Sequence, residues 1–192
     1  PNATGTGDGL NTAGYRFNAQ ANEFRDQFVY KSDYYLNSKN SFTGTYNYIS
    51  NPTDRPDVGT FYTALPPVTN SIKDNLLSLS WRWTASPTLT NEARAGFMRS
   101  NTSFQDSNTY PASIVAGLLF TNPVNTFLNQ GRKVNTYSFQ DNATWLKGKH
   151  EVSFGFQAQL LHVSPYNDGG TVPTLTLGIG AANTSNLTAA DL

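Results

Sequence analysis

Ionisable residues that fall within alternating stretches of this chain include Lys31, Asp33, Arg82, Glu92, Arg94, Asp141 and Glu151. Two carboxylates of that set, held roughly 5 to 10 Å apart across neighbouring strands, would be the acid and base of glycosidic-bond hydrolysis. No local motif pairs any two of them, so their dispersal reads as a polar inner wall and no catalytic role is expected. His162 lies twelve positions beyond His150 with no third partner between them, where a zinc site needs three or four convergent ligands. Gly5-Thr6-Gly7-Asp8-Gly9 has the glycines of a phosphate cradle but lacks the Gly-Lys-Ser/Thr ending and a preceding strand, which makes it a flexible loop. Asp168-Gly169-Gly170 lacks the alternating ligand spacing of a calcium loop and reads as a turn. Asn2, Asn101, Asn142, Asn183 and Asn186 each open an N-x-S/T triplet, a coincidence that an Asn- and Thr-rich chain produces readily. No residue is therefore assigned as catalytic, cofactor-binding or metal-ligating, and the ligand-binding residues are not identified.

What must position these side chains is strand. Asn135 to Val163 reads as one long β-hairpin. In its second arm Val152, Phe154, Phe156, Ala158 and Leu160 fall on one face, and Glu151, Ser153, Gly155, Gln157 and Gln159 on the other. The turn is only Lys147-Gly148-Lys149, and each arm is about the length that crosses a bilayer as a tilted strand, roughly ten residues.

The same alternation recurs along the chain. Strands are expected at about 14–20, 27–36, 41–50, 75–85, 89–101, 134–146 and 150–163, with 171–180 as a candidate eighth. Between 75 and 85, Leu77, Leu79, Trp81 and Trp83 oppose Ser78, Ser80, Arg82 and Thr84. Asn37-Ser38-Lys39-Asn40 and Ser86-Pro87-Thr88 have short-turn chemistry. Asn51 to Asp74 carries Pro52, Pro56, Pro66 and Pro67 and is expected as a long loop, as is Thr102 to Arg132. Short and long connections thus alternate, as periplasmic turns and extracellular loops do in outer-membrane barrels. Inside the second loop, the apolar run Ser113 to Phe120 is too short for a membrane helix and is expected to anchor the loop, with a ligand or partner contact as the alternative.

Composition agrees. Charged residues are 14% of the 192, against roughly 25% in soluble domains, so polarity comes from neutral Asn, Thr and Ser. A net charge of zero argues against a nucleic-acid partner, and zero cysteines exclude a disulfide scaffold. The opening Pro1-Asn2-Ala3 lacks a basic, apolar leader, and the expectation is an internal fragment. Aromatics cluster in two groups: Tyr34, Tyr35, Trp81, Trp83 and Trp145 beside the short turns, and Tyr46, Tyr48, Phe97, Tyr137 and Phe139 toward the long loops. Two belts imply two membrane interfaces. Asp141 shares its face with Tyr137, Phe139, Ala143 and Trp145, so either a β-bulge re-aims it or the strand is rotated.

Three stretches resemble the barrel region of TonB-dependent outer-membrane receptors, particularly the group with an N-terminal carboxypeptidase regulatory-like domain. They are Gly14 to Ala19 with Lys31-Ser32-Asp33-Tyr34-Tyr35-Leu36; Trp83 to Gly96, with its Asn91-Glu92-Ala93-Arg94-Ala95-Gly96 strand; and Asp141-Asn142-Ala143-Thr144-Trp145-Leu146-Lys147-Gly148-Lys149-His150 running on to Phe154-Gly155. The resemblance implies a large barrel of about twenty-two strands around a plug, of which this chain supplies seven or eight.

The expected fold is therefore all-β, an antiparallel up-and-down transmembrane barrel segment in the bacterial outer membrane. Its expected role is non-enzymatic: barrel wall and extracellular loops of a receptor for energy-coupled uptake of an unidentified extracellular ligand. The expected partners are outer-membrane lipid, a plug and further strands outside this chain, and the TonB complex through those missing regions. Two alternatives stand beside it: a complete eight-stranded barrel serving as adhesin or structural protein, closed by pairing of the first strand with 171–180, and a soluble all-β carbohydrate-binding module.

Overall fold

The computed structural model describes residues 3, 5, 13–58, 67–107, 109–116 and 125–176. Among these the strands are β1 Asp26–Asn37, β2 Asn40–Asp54, β3 Val68–Ser86, β4 Leu89–Asp106, β5 Ile114–Ala116, β6 Gln130–Lys147, β7 His150–Asn167 and β8 Thr174–Thr176. Six form one antiparallel sheet in the order β1-β2-β3-β4-β6-β7, and β5 pairs in parallel with β8. Each long strand lies beside its predecessor, with short turns at one end and long connections at the other. Among the described residues β1 and β7 do not pair with each other, so the sheet is open.

The three short turns solve one geometric problem in two ways. Gly148 has a φ of 63° and opens the β6–β7 turn, matching the strand twist with a left-handed residue and an unbroken register. The turns at Ser38-Lys39 and Pro87-Thr88 contain no positive-φ residue, and each is accompanied by a register shift, at Tyr35/Asn37 and Thr84/Ser86. An extra residue there absorbs the twist that a right-handed turn cannot. Side chains brace both: Asn37 Oδ1 accepts the Lys39 amide at 2.9 Å and Ser86 Oγ the Thr88 amide at 3.2 Å.

Register turns the alternation into rows that cross all six strands. Tyr34, Phe42, Trp81, Ala93, Asp141 and Phe156 form one row, and Tyr30, Tyr46, Leu77, Phe97, Tyr137 and Leu160 another, farther from the short turns. Farther still, Asp26, Ser50, Lys73, Asn101, Lys133 and Ser164 make a row with no apolar member. From Trp145 to Tyr137 the apolar face is about 26 Å tall along the strand, or about 20 Å if the strands tilt near 40°. With the side chains added, that is about the 25 Å apolar band of a membrane barrel.

The opposite face is polar toward the short turns, as in the row Asp33, Thr43, Ser80, Arg94, Gln140 and Gln157, and mixed farther from them, where Val29, Leu76, Met98 and Leu161 share a row with Asn47 and Thr136. Two of its glycines have close neighbours. A Cβ at Gly96 would strike Ser138 Oγ, and one at Gly155 would lie 2.5 Å from Asn142 Oδ1.

Four expectations are corrected. Residues 14–20 do not form a strand: Tyr15 and Phe17 stack at 5.7 Å, as alternation allows, but apart from the isolated Ala3–Gly14 bridge no strand ladder runs through the segment among the described residues. Alternation supplies a face, whereas a strand also needs a neighbour to take its hydrogen bonds. Of the expected 171–180 strand, the described residues begin to pair only at Thr174, after the turn at Gly170 (φ 83°) and Pro173, and Thr174–Thr176 meets β5; residues 177–180 lie outside those described.

Both long loops are shorter than expected, because strands invade them. β2 continues to Asp54 and β3 begins at Val68; β4 runs to Asp106 and β6 begins at Gln130. β3 has 19 residues and β4, β6 and β7 have 18 each, well beyond the roughly ten that cross a membrane. Pro52 sits inside β2 because its missing N–H points toward the edge: the Phe24 amide donates to the Pro52 carbonyl at 3.1 Å, and Pro52 cannot return the bond. There the β1 ladder ends, and the Glu23–Thr53 bridge continues it alone.

Candidate functional site

Of Lys31, Asp33, Arg82, Glu92, Arg94, Asp141 and Glu151, all but Asp141 stand on the polar face. Lys31 and Asp33 meet at 3.3 Å on the polar face, where Thr43 Oγ1 also donates to Asp33 at 2.6 Å. On the same face Glu92 lies between two arginines, with Arg94 Nη2 at 2.8 Å and Arg82 Nη2 at 3.7 Å. Glu151 is on this face too, opposite Leu146. The pairing leaves each of these carboxylates beside a cation or a neutral neighbour, an arrangement that lines a wall without a strong one-signed field.

Asp141 is the exception. Its strand has no bulge, since the register through β4, β6 and β7 is continuous around it. It therefore stays on the apolar face, opposite Ala93 and Phe156, and accepts a hydrogen bond from Asn91 Nδ2 at 3.2 Å. Beside it, Leu79, Trp81, Ala93, Ala95 and Phe139 enclose a groove of about 460 Å³, open because the two alanines are small. Both histidines also lie on this face of β7 but about 40 Å apart along the strand. Among the described residues no three His, Asp or Glu side chains converge into a metal-binding group. Asn101 and Asn142 lie within strands, while Asn2, Asn183 and Asn186 lie outside the described residues, as does all of the Gly5–Gly9 loop but Gly5.

The aromatic groups form contacts as well as rows. Near the short turns Phe42 stacks on Trp81 and Trp81 on Trp83, both at 6.1 Å; Trp81 Nε1 donates to Asn40 Oδ1 at 3.0 Å, and the Lys147 ammonium lies over the Trp145 ring. Toward the other end Phe97 and Tyr137 pack at 5.1 Å, and Tyr46 Oη donates to Asn75 Oδ1 at 2.7 Å. Phe139 is midway between the two groups, not in the upper one.

At the end carrying the long connections the chain builds a cap held by polar contacts. Tyr110 Oη donates to Asp168 Oδ2 at 2.6 Å and accepts the Asn129 amide at 2.8 Å. Asn129 Oδ1 in turn accepts the Asp106 amide at 2.7 Å, and Asn125 Nδ2 donates to Asp106 Oδ2 at 2.5 Å. One network thus ties the end of β4, the entry to β6 and the exit of β7 to the loop between them. Burial and the Asp168 carboxylate raise the Tyr110 pKa above its ordinary value, so the phenol stays protonated and donating. Ser107 and Arg55 donate backbone bonds to Pro67 and Val68, and Val68 is fully buried. Arg55 grips Asp57 through Nε at 2.7 Å and Nη2 at 2.6 Å while lying over the Phe104 ring. That grip holds the Asp57 carboxyl below the usual carboxylate range.

Sequence reading missed this cap, because its members are single polar residues scattered from Arg55 to Asp168 with no motif joining them. The Ile114–Ala116 part of the apolar run anchors the loop by pairing with β8, and residues 117–120 lie outside those described.

The model of an outer membrane beta barrel domain matches residues 1–191. The chain belongs to that family. This outer-membrane barrel chain thus resides in the bacterial outer membrane, and its six-stranded sheet is barrel wall. No curated protein and no solved structure matches it. In such barrels the long connections are extracellular, which puts the Tyr110 network outside the cell and the three short turns in the periplasm.

Proposed function

We propose that this barrel wall belongs to a receptor for energy-coupled, TonB-dependent uptake, with its apolar face against lipid, its polar face toward a plug, and its extracellular cap capturing ligand. The observation that carries the reading is the shape of the wall: six strands in simple up-and-down order whose outer strands, among the described residues, are unpaired with each other, rising past the membrane into a cap. A wall that does not close on itself suits a barrel wide enough to hold a plug, whereas a small barrel closes with about eight strands. The resemblance carried by Asp141 to His150 and Phe154-Gly155 points the same way. The polar face, with Lys31 against Asp33, Glu92 between Arg82 and Arg94, and neutral Asn, Gln, Ser and Thr around them, offers hydrogen bonds to a plug. We infer no catalysed reaction.

Sequencing the coding DNA on both sides of this segment tests the reading. A frame that continues upstream into a plug with a TonB-contacting segment, and downstream into further alternating strands, supports it. A frame that encodes no plug overturns it and leaves a barrel without energised transport.

A further inference from the structure

The polar row above the apolar band carries its cations on the outward side. Lys73 on β3 and Lys133 on β6 flank Asn101 in one row, about 10 Å apart across two strand spacings. Arg99, two residues from Asn101 on β4, lies between them and about 7 Å nearer the band. All three are exposed, and none takes part in the ion pairs found among the described residues. His162 completes the Arg99 row on β7. The acidic residue in these two rows is Asp26, on β1 with β2 between it and Lys73. Arg82 and Arg94, by contrast, stand on the polar face with Glu92 as their counter-ion.

Below the three cations lies a place for a chain. β4 descends from Arg99 through Phe97 to Ala95 and Ala93, the floor of the 460 Å³ groove between Leu79, Trp81 and Phe139. Beside Lys133, Asn101, Ser103, Gln105, Ser164 and Tyr166 line a second, more polar cavity of about 380 Å³. Cations at headgroup height, neutral hydrogen-bonding groups beside them and, beneath, a mainly apolar groove that Asp141 also lines are the parts of a lipid site.

We propose that Lys73, Arg99 and Lys133 bind the phosphates of an anionic, acylated lipid in the outer leaflet, with one acyl chain in the groove over Ala93 and Ala95. The proposal rests on the apolar face being the lipid-facing one. Its physical logic is that cations just above the hydrocarbon find their counter-ions in lipid headgroups, each contributing on the order of tenfold or less in affinity. Arg99 suits a bidentate phosphate contact, and the lysines act as point charges on either side.

The test uses the whole protein refolded into phosphatidylcholine vesicles containing a bis-phosphorylated acylated glycolipid or the same glycolipid with its phosphates removed. Glycolipid kept by the protein through detergent extraction is counted by mass spectrometry. The expected result is at least roughly tenfold more of the phosphorylated form on the unaltered protein. Lys73→Gln, Arg99→Gln and Lys133→Gln together abolish that preference, while Ala95→Leu, which fills the groove, lowers retention of both forms. Equal retention of the two glycolipids by the unaltered protein, or a preference that survives the triple substitution, overturns the site. So does displacement of the lipid by inorganic phosphate alone, which marks a soluble-anion site. If Leu79→Lys and Ser78→Lys impair folding equally, the facing assignment itself has failed; if they differ and the phosphate preference is absent, only the lipid site has.

Discussion

In the membrane-crossing half of the sheet the large apolar side chains are the exposed ones, Phe156 at 63% and Leu160 at 65%, whereas at the extracellular end Val68 and Val172 are buried to 0% and 7% exposure. The two halves continue the same strands but meet different solvents. The band builds no core of its own, because lipid takes the place of one and backbone hydrogen bonds within the sheet satisfy the peptide groups. The cap stands in water and must cover its apolar residues itself, so it closes over Val68 and Val172 and ties its loops with Tyr110, Asn125, Asn129 and Asp168. A side chain in this protein is therefore judged against its row. The same leucine is well placed at Leu79 and would be misplaced one residue away.

The largest expected effect breaks the band. Leu79→Lys, at mid-band between Gly44 and Ala95, is expected to cost about 2–4 kcal/mol of folding free energy, and Ser78→Lys on the opposite face well under half of that. A denaturant titration of the protein in vesicles measures both, and equal losses would contradict the facing. Phe156→Lys sharpens the point. Its lysine would stand directly opposite Asp141, so it is expected to cost less than Leu79→Lys, with the difference erased by adding Asp141→Asn.

The cap is next in size. Tyr110→Phe removes one hydroxyl that donates to Asp168 and accepts from Asn129, leaving a half-buried amide and carboxylate short of a partner at a cost of about 1–3 kcal/mol. The loss should appear as faster hydrogen exchange over 109–116 and 125–129, with the membrane-crossing strands unchanged. Exchange that rises equally in both halves would mean that band and cap unfold as one unit. Gly148→Ala should cost about 1 kcal/mol by strain alone, since its φ of 63° is left-handed and the added methyl meets nothing within 4 Å. Its effect belongs in the β6–β7 turn and not in the cap.

The smallest effects are pH-dependent and confined to the cap. The Tyr110 pKa is raised in the folded protein, so its contribution is fully present below the ordinary phenol value of 10.0 and is lost as pH rises through the folded value. Alkaline loosening of 109–116 that is absent from Tyr110→Phe is the expected signature. Asp57 has the opposite sign: its folded pKa is lowered, so the grip of Arg55 persists above the ordinary value of 3.8 and fails only as pH falls through the lower folded one. Proteolysis near residues 55–58 at acid pH reads that transition. Cleavage that begins at neutral pH would show that the ion pair does not hold this segment.

Period-two alternation, short turns and the tryptophans beside those turns were legible from residue types, because a pleated strand sends neighbouring side chains to opposite faces whatever lies beside it. For that reason the six long strands, the apolar and polar faces and the outer-membrane setting could be read from the sequence. The same rule misled at Tyr15 to Gln20, where the pattern is present but the described residues form no strand ladder, and at Pro52, which reads as a strand breaker until its imide is seen to face the edge. Register decided the rest. Only pairing across strands sets Lys73 and Lys133 astride Asn101, fixes Asp141 opposite Phe156, and gathers Tyr110, Asn125, Asn129 and Asp168 into one network. The physical reason is range: alternation is a property of one strand and its backbone, whereas each of these meetings joins residues far apart along the chain, held together by a ladder that no local spacing encodes.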